Sequence, residues 1–204
     1  IWMLASAPIT LLLVARGLSP TEQGYYYAFA SVLGLQILFE LGLVAVVMQF
    51  ASHEMVSLRW GESAVLEGDE RALGRLASLL RGASLWYAAA AALTLLVVFP
   101  GGTWMFSRRA GTSVSWAVPW LWVVVVSAGR LVISPVFGML EGCGRVAPVA
   151  GLRTISNIVG TLLMWIALLA NWRLYAVPIN ATVQLLGAVY WLIVNHRSTL
   201  RQLL

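Results

Sequence analysis

An all-α, polytopic membrane bundle of about six transmembrane helices, filling residues 1–204 as one domain, is the fold class this sequence predicts. Three observations predict it. Of 204 residues, 60% are hydrophobic and only 10% are charged, where a soluble domain carries about one quarter charged residues. Mean hydropathy is +0.85. Six apolar segments divide the chain, at residues 1–15, 25–50, 83–99, 114–140, 154–170 and 174–194. Most approach the roughly 20 residues that a helix needs to cross a bilayer core, and backbone groups without water partners there require helices rather than open strands.

The first segment is apolar from Ile1 and lacks the basic leader and small-residue cleavage site of a signal peptide. It reads as the tail of a helix cut short. The second, 26 residues long, carries Glu40 in its middle, with Gln36 four residues earlier on the same helical face. A charge at bilayer mid-depth costs about 2.5–3.5 kcal/mol even on lenient scales, so Glu40 is expected to face other helices or water. The third and fifth segments have 17 residues each, at the short end of the spanning range.

All 13 basic residues are Arg, and the net charge is +5. They sit singly between apolar runs, which excludes a nucleic-acid surface and suits loop anchoring. Arg59, Arg71, Arg75, Arg81, Arg145, Arg153, Arg197 and Arg201 fall in connections 51–82, 141–153 and 195–204; the opposite loops hold Arg16, Arg108, Arg109 and Arg173. Eight against four places the N-terminus in the cytoplasm. Trp104, Trp116, Trp120 and Trp172 would then form an aromatic belt at the outer boundary. In the cytoplasmic loop 51–82, an amphipathic helix begins at Asp69, with Leu73, Leu76, Leu79 and Leu80 as its stripe and Arg71 and Arg75 facing away. Two readings stand level: an interfacial helix under the inner leaflet, or an extension of the third span.

Polar side chains within the other spans also keep helical spacing. Ser127, Arg130 and Ser134 line the fourth, just before Pro135; Asn157 and Thr161 lie four apart in the fifth; Asn180 and Gln184 lie four apart in the sixth, after Pro178. Four stripes suit a water-filled cavity between helices, against the plainer reading of interhelical hydrogen bonds worth on the order of 0.6 kcal/mol each. Glu40 and Arg130 each lie ten residues from the predicted inner end of their segments, about 15 Å above the boundary. They are expected to share one cavity, paired or holding a ligand between them. Arg16, His53-Glu54 and His196 read as boundary residues. Cys143 is alone, so neither an internal disulfide nor a thiolate metal cluster is expected. No hydrolase elbow, P-loop, dinucleotide turn or spaced His/Cys/Asp cluster occurs; no enzyme, cofactor or metal site is expected.

The stretch Leu18-Ser19-Pro20-Thr21-Glu22-Gln23-Gly24-Tyr25-Tyr26, followed by Phe39-Glu40-Leu41-Gly42-Leu43, resembles the first loop and second helix of bacterial polysaccharide biosynthesis flippases of O-antigen type. These belong to the multidrug/oligosaccharidyl-lipid/polysaccharide exporter superfamily. Thr21 stands where an acid is commoner. Leu140-Glu141-Gly142-Cys143-Gly144-Arg145 resembles the glycine-bearing turn after the family's fourth helix. Part of the first match is explained by capping alone: Ser19 precedes Pro20 at a first helical position, with Glu22 at the third.

That resemblance implies a six-helix N-terminal lobe, half of a two-lobed transporter whose second lobe lies beyond Leu204. It also implies a polyprenyl-diphosphate-linked oligosaccharide as cargo, moved across the bacterial inner membrane for lipopolysaccharide or related surface polysaccharide. Cationic cavity side chains would receive the diphosphate, with Arg130 as the candidate. Alternatives are a cation-coupled multidrug exporter of the same superfold, in which Glu40 carries the coupling ion, and a non-transporting membrane subunit of a polysaccharide assembly complex. Cargo transport in vesicles separates these.

Overall fold

The computed structural model describes residues 2–34, 42–61, 64–108 and 114–204. The elements in order are α1 (Trp2–Gly17), α2 (Pro20–Gly34), α3 (Leu43–Glu54), β1 (Leu58–Trp60), β2 (Leu66–Gly68), α4 (Glu70–Leu93), a π turn (Thr94–Val98), α5 (Phe99–Ser107), α6 (Ala117–Gly142), α7 (Val146–Leu169), a 3-10 turn (Arg173–Ala176), α8 (Ile179–Asn195) and α9 (Arg197–Leu203). Among the described residues the fold is all-helical apart from one short hairpin. Four helical stretches among those residues are long and apolar enough to cross a membrane: Glu70–Ser107, Ala117–Gly142, Val146–Leu169 and Arg173–Asn195. They contain or coincide with four of the six predicted segments. Ala5–Gly17 is apolar but shorter.

Residues 25–50 do not form one continuous helix. The start of α2 is as predicted: the Ser19 N–H donates to Glu22 Oε2 at 2.8 Å and the Glu22 N–H to Ser19 Oγ at 3.4 Å, a reciprocal capping box ahead of Pro20. At Gly42 the backbone is left-handed, with φ 70°, and α3 starts afresh at Leu43. Glycine takes that conformation without a Cβ penalty. Gln36 and Glu40 lie outside the described residues.

The connection 51–82 is more ordered than predicted. Strands β1 and β2 pair antiparallel, with Leu58 opposite Gly68 and Trp60 opposite Leu66. Gln202 of α9 clamps the hairpin, donating to the Leu66 carbonyl at 2.8 Å and accepting from the Leu66 N–H at 3.0 Å. Thr199 donates to the Ala64 carbonyl. Asp69 caps α4 by accepting from the Ala72 N–H at 2.9 Å. From there the chain is helical without interruption to Ser107, 38 residues or about 57 Å, nearly twice the ~30 Å hydrocarbon core. The amphipathic stretch is therefore an extension of the third span and not a separate interfacial helix. Leu76 and Leu80 are fully buried along the predicted stripe, while Arg71 and Arg75 are exposed. The π turn precedes Pro100, whose ring and missing N–H disrupt an α-helical ladder.

Helix α6 is the centre of the bundle. Of its apolar window 61% is buried, against 17–33% for the other three long stretches. Helices α3 and α4 pack on it at the end bearing the hairpin, and α7 packs along α8. Small residues permit the α3–α6 approach. A Cβ on Gly142 would lie 2.3 Å from the Met48 carbonyl oxygen and 2.7 Å from the Ala51 Cβ; one on Gly138 would lie 2.9 Å from Val44. At the far end, Tyr25, Phe29, Phe106 and Trp120 form an aromatic cluster, with Trp120 Nε1 donating to the Phe99 carbonyl at 3.1 Å. Trp120 is fully buried and belongs to this core rather than to a belt; Trp104 and Trp172 are exposed.

The glycine contact yields a stability prediction. Gly142→Val drives a branched side chain into the α3 backbone and is expected to cost about 1–3 kcal/mol. Gly74→Ala, with nothing within 4 Å of its Cβ, is expected to gain about 0.5–1 kcal/mol in its helix interior. Thermal unfolding in detergent reads both; equal midpoints for Gly142→Val and the parent would refute the close approach.

Candidate functional site

The stripes of α7 and α8 meet. Asn180 Nδ2 donates to Thr161 Oγ1 at 2.8 Å and to Asn157 Oδ1 at 3.2 Å. Gln184 Nε2 donates to Asn180 Oδ1 and, at 3.4 Å, to Asn157 Oδ1. Neighbouring small residues bring the helices close enough for this layer. A Cβ on Gly160 would stand 2.9 Å from the Asn180 carbonyl oxygen, and one on Gly187 would stand 2.7 Å from Ser156 Oγ. Close approach through small residues, with amides bonded across the seam, is the ordinary solution for apolar helices that lack a hydrophobic drive to associate.

Two crevices flank the layer. One, of about 110 Å³ between α6, α7 and α8, is lined by Arg130, Ser134, Phe137, Arg153, Ser156 and Gln184, among others. The other, of about 480 Å³ between α1, α2, α7 and α8, is bordered by Ser6, Thr10, Tyr26, Asn157, Thr161 and Asn180 together with apolar side chains. Arg130 and Gln184 thus share one crevice, and Asn157 and Asn180 border the other. The hydrogen bonds from Gln184 to both asparagines make the wall between them. Among the described residues the predicted stripes do not line one common cavity. Glu40 and Gln36 lie outside the described residues, so the expected juxtaposition of Glu40 with Arg130 is not part of this geometry.

Arg153, which the sequence places at the end of the connection 141–153, lies within α7 and brings a second guanidinium to the Arg130 crevice. Its Nη1 donates to Glu141 Oε1 at 2.7 Å, and its guanidinium carbon lies 5.7 Å from the centre of the Phe137 ring. The spacing that singles out Asn157 and Thr161 extends one turn back to Arg153, and that was the available signal. Two guanidinium groups, two serine hydroxyls and an amide make a donor-rich crevice suited to an anion with several oxygens. The second crevice has no charged side chain on its border; it offers hydroxyls, amides and the Tyr26 ring.

At the hairpin end the electrostatics serve assembly. Glu54, buried at the end of α3, accepts from Arg75 Nε at 3.0 Å and from Nη2 at 2.6 Å. The bidentate hydrogen bond to Arg75 holds its carboxyl below the usual range. Cys143, buried under the hairpin, has its thiol pushed up to about 12 by burial; its carbonyl accepts from Trp60 Nε1 at 2.8 Å. His196 caps the C-terminal end of α8, directly after the span Arg173–Asn195, but it is buried there. It is 3% exposed, with its ring 4.6 Å from Trp191 and 5.9 Å from Trp60 between centroids, and the Arg145 guanidinium lies 4.5 Å above the Trp60 ring. Burial first, and the Arg145 charge second, push the imidazole below its ordinary value.

Two predictions follow from these contacts. Asn180→Ala removes the donor and acceptor that join α7 to α8 and is expected to cost about 1–2 kcal/mol, near the upper end for membrane helix hydrogen bonds, read by unfolding in detergent. Because His196 binds its proton less well folded than unfolded, its contribution to stability is whole above about pH 6.5 and is lost as pH falls through the lower folded value. The unfolding midpoint should drop between pH 7.5 and pH 5, and His196→Phe should flatten that drop. Comparison of the chain with protein-family models, with curated proteins and with solved structures returns no match.

Proposed function

We propose that this chain is one lobe of a flippase that moves a polyprenyl-diphosphate-linked oligosaccharide across a bacterial inner membrane by alternating access. Helices α1, α2–α3, α4–α5, α6, α7 and α8 would be its six spans, with the N-terminus and the hairpin end in the cytoplasm. The observation that carries the reading is the pair Arg130 and Arg153 in one crevice beside Ser134, Ser156 and Gln184, within helices apolar enough to cross a bilayer. Arg130 lies near the middle of α6 and is exposed on the isolated chain. Facing acyl chains there would cost at least about 2.5–3.5 kcal/mol; facing water, cargo or a second lobe would not. A diphosphate offers enough oxygens for both guanidinium groups, and its sugars suit the uncharged crevice beyond the amide wall.

Glu141 competes with the cargo for Arg153. A ligand shifts a conformational equilibrium only by its differential affinity for the two states. Exchange of the Glu141 carboxylate for a phosphate on Arg153 supplies such a difference, and Glu40 would act on Arg130 in the same sense. The resemblance of residues 18–26 and 39–43 to polysaccharide flippases supports this cargo over a drug.

The test is binding of a polyprenyl-diphosphate-linked saccharide to the chain in nanodiscs. Arg130→Gln and Arg153→Gln are each expected to weaken it about tenfold, about 1.4 kcal/mol. Polyprenol without phosphate should not compete. Equal affinity for the diphosphate and the alcohol, or no effect of either substitution, would overturn the reading.

A further inference from the structure

A third hollow, of about 660 Å³, runs between α3 and α4, separate from the two crevices above. Its α4 wall is Arg75, Leu79, Gly82 and Trp86, and its α3 wall includes Val46 and Phe50. Positions 75, 79, 82 and 86 repeat at three and four residues, so they form one strip of a single helical face. The rise from Arg75 to Trp86 is about 16 Å, close to half of the ~30 Å hydrocarbon core. The groove therefore has the length of one leaflet. It opens sideways: Val46 is 51% exposed and Trp86 47%.

Polarity is confined to one end. There Arg75 uses Nε and Nη2 on Glu54, and its side chain is 53% exposed. Ser78 bonds back to the Arg75 carbonyl at 3.0 Å. Arg71, one turn earlier on α4, is exposed. The remainder of the lining is apolar, and nothing lies within 4 Å of a Cβ built on Gly82, so the glycine leaves open space along the α4 wall. An anionic group at one end of a leaflet-length apolar tail matches this layout in charge, length and polarity.

We infer that the α3–α4 groove is a phospholipid site, holding one acyl chain along Val46, Phe50, Leu79 and Gly82 with the phosphate on Arg75 and Arg71. The site does not depend on the cargo proposed above. A bilayer lipid bound there ties α3 to α4 just beyond Gly42, where α3 begins.

Native mass spectrometry of the detergent-purified chain, titrated with phosphatidylglycerol, tests it. One retained lipid per chain is expected. Gly82→Trp, which fills the groove from the α4 side, should lower occupancy at least tenfold, and Val46→Trp should do the same from α3. Gly82→Ala should retain the lipid, and diacylglycerol with the same chains should bind at least tenfold more weakly. The triple change Arg71→Gln, Arg75→Gln and Glu54→Gln, which leaves no stranded carboxylate, should also weaken binding about tenfold. Undiminished lipid on both tryptophan variants, equal binding of diacylglycerol, or a second copy of the chain displaced by Gly82→Trp in place of lipid would each overturn the inference.

Discussion

The hydrogen-bonded seam between α7 and α8 is the constraint on which the polar interior depends. Apolar helices in lipid have no water to expel from their interface, so association rests on close packing and on polar groups that need partners. Asn180 is central because it donates to Asn157 and Thr161 and accepts from Gln184. Gly160 makes this possible, since a side chain there would press on the Asn180 backbone. Once the seam is closed, Gln184 is left on the arginine side and Asn157 on the neutral side. The guanidinium groups are thereby separated from the uncharged crevice by the thickness of one amide layer.

The hairpin end is held by a different kind of interaction. Strands of three residues cannot stand alone; here α9 supplies the missing partners through Gln202 and Thr199. Trp60 then reaches from β1 to the Cys143 carbonyl and stacks beneath Arg145, beside His196. The turn between α6 and α7, the end of α8 and the start of α4 are fastened together there. Glu54, buried, and Arg75, exposed, add a bidentate pair between α3 and α4. Removing Arg75 would strand the Glu54 carboxylate, so the pair fixes geometry more than it adds stability.

What could be read in advance was local. The Ser19–Glu22 capping box, the leucine stripe of α4 and the four-residue spacings in α7 and α8 depend on neighbours within one turn, and all stand in the structure. The unforeseen features depend on distant partners or on single residues. Trp60 and His196 meet across 136 positions, and Arg153 meets Glu141 across a turn. Gly42 sits in an apolar run whose composition favours a continuous helix, and only its positive φ reveals the break. Trp120 reads as amphipathic belt from composition, yet Gly102 gives its ring room inside the core. Arg153 lies beside Arg130 because α7 begins at Val146, about two turns before the apolar run that marks it in the sequence.

The wide turn at Thr94–Val98 sets the angular indexing of everything beyond it. A π turn accommodates an additional residue relative to α-helical winding, and each residue of an α-helix advances the azimuth by about 100°. Gly102 and Phe106 point at Trp120 only because that extra increment has been inserted upstream, with Phe106 5.2 Å from the Trp120 ring. Excising one residue there would restore regular winding and swing α5 by roughly a quarter turn, carrying Phe106 away from the aromatic cluster while leaving everything before Thr94 in place. The aromatic cluster and the hairpin end are thus geared to each other through one widened turn.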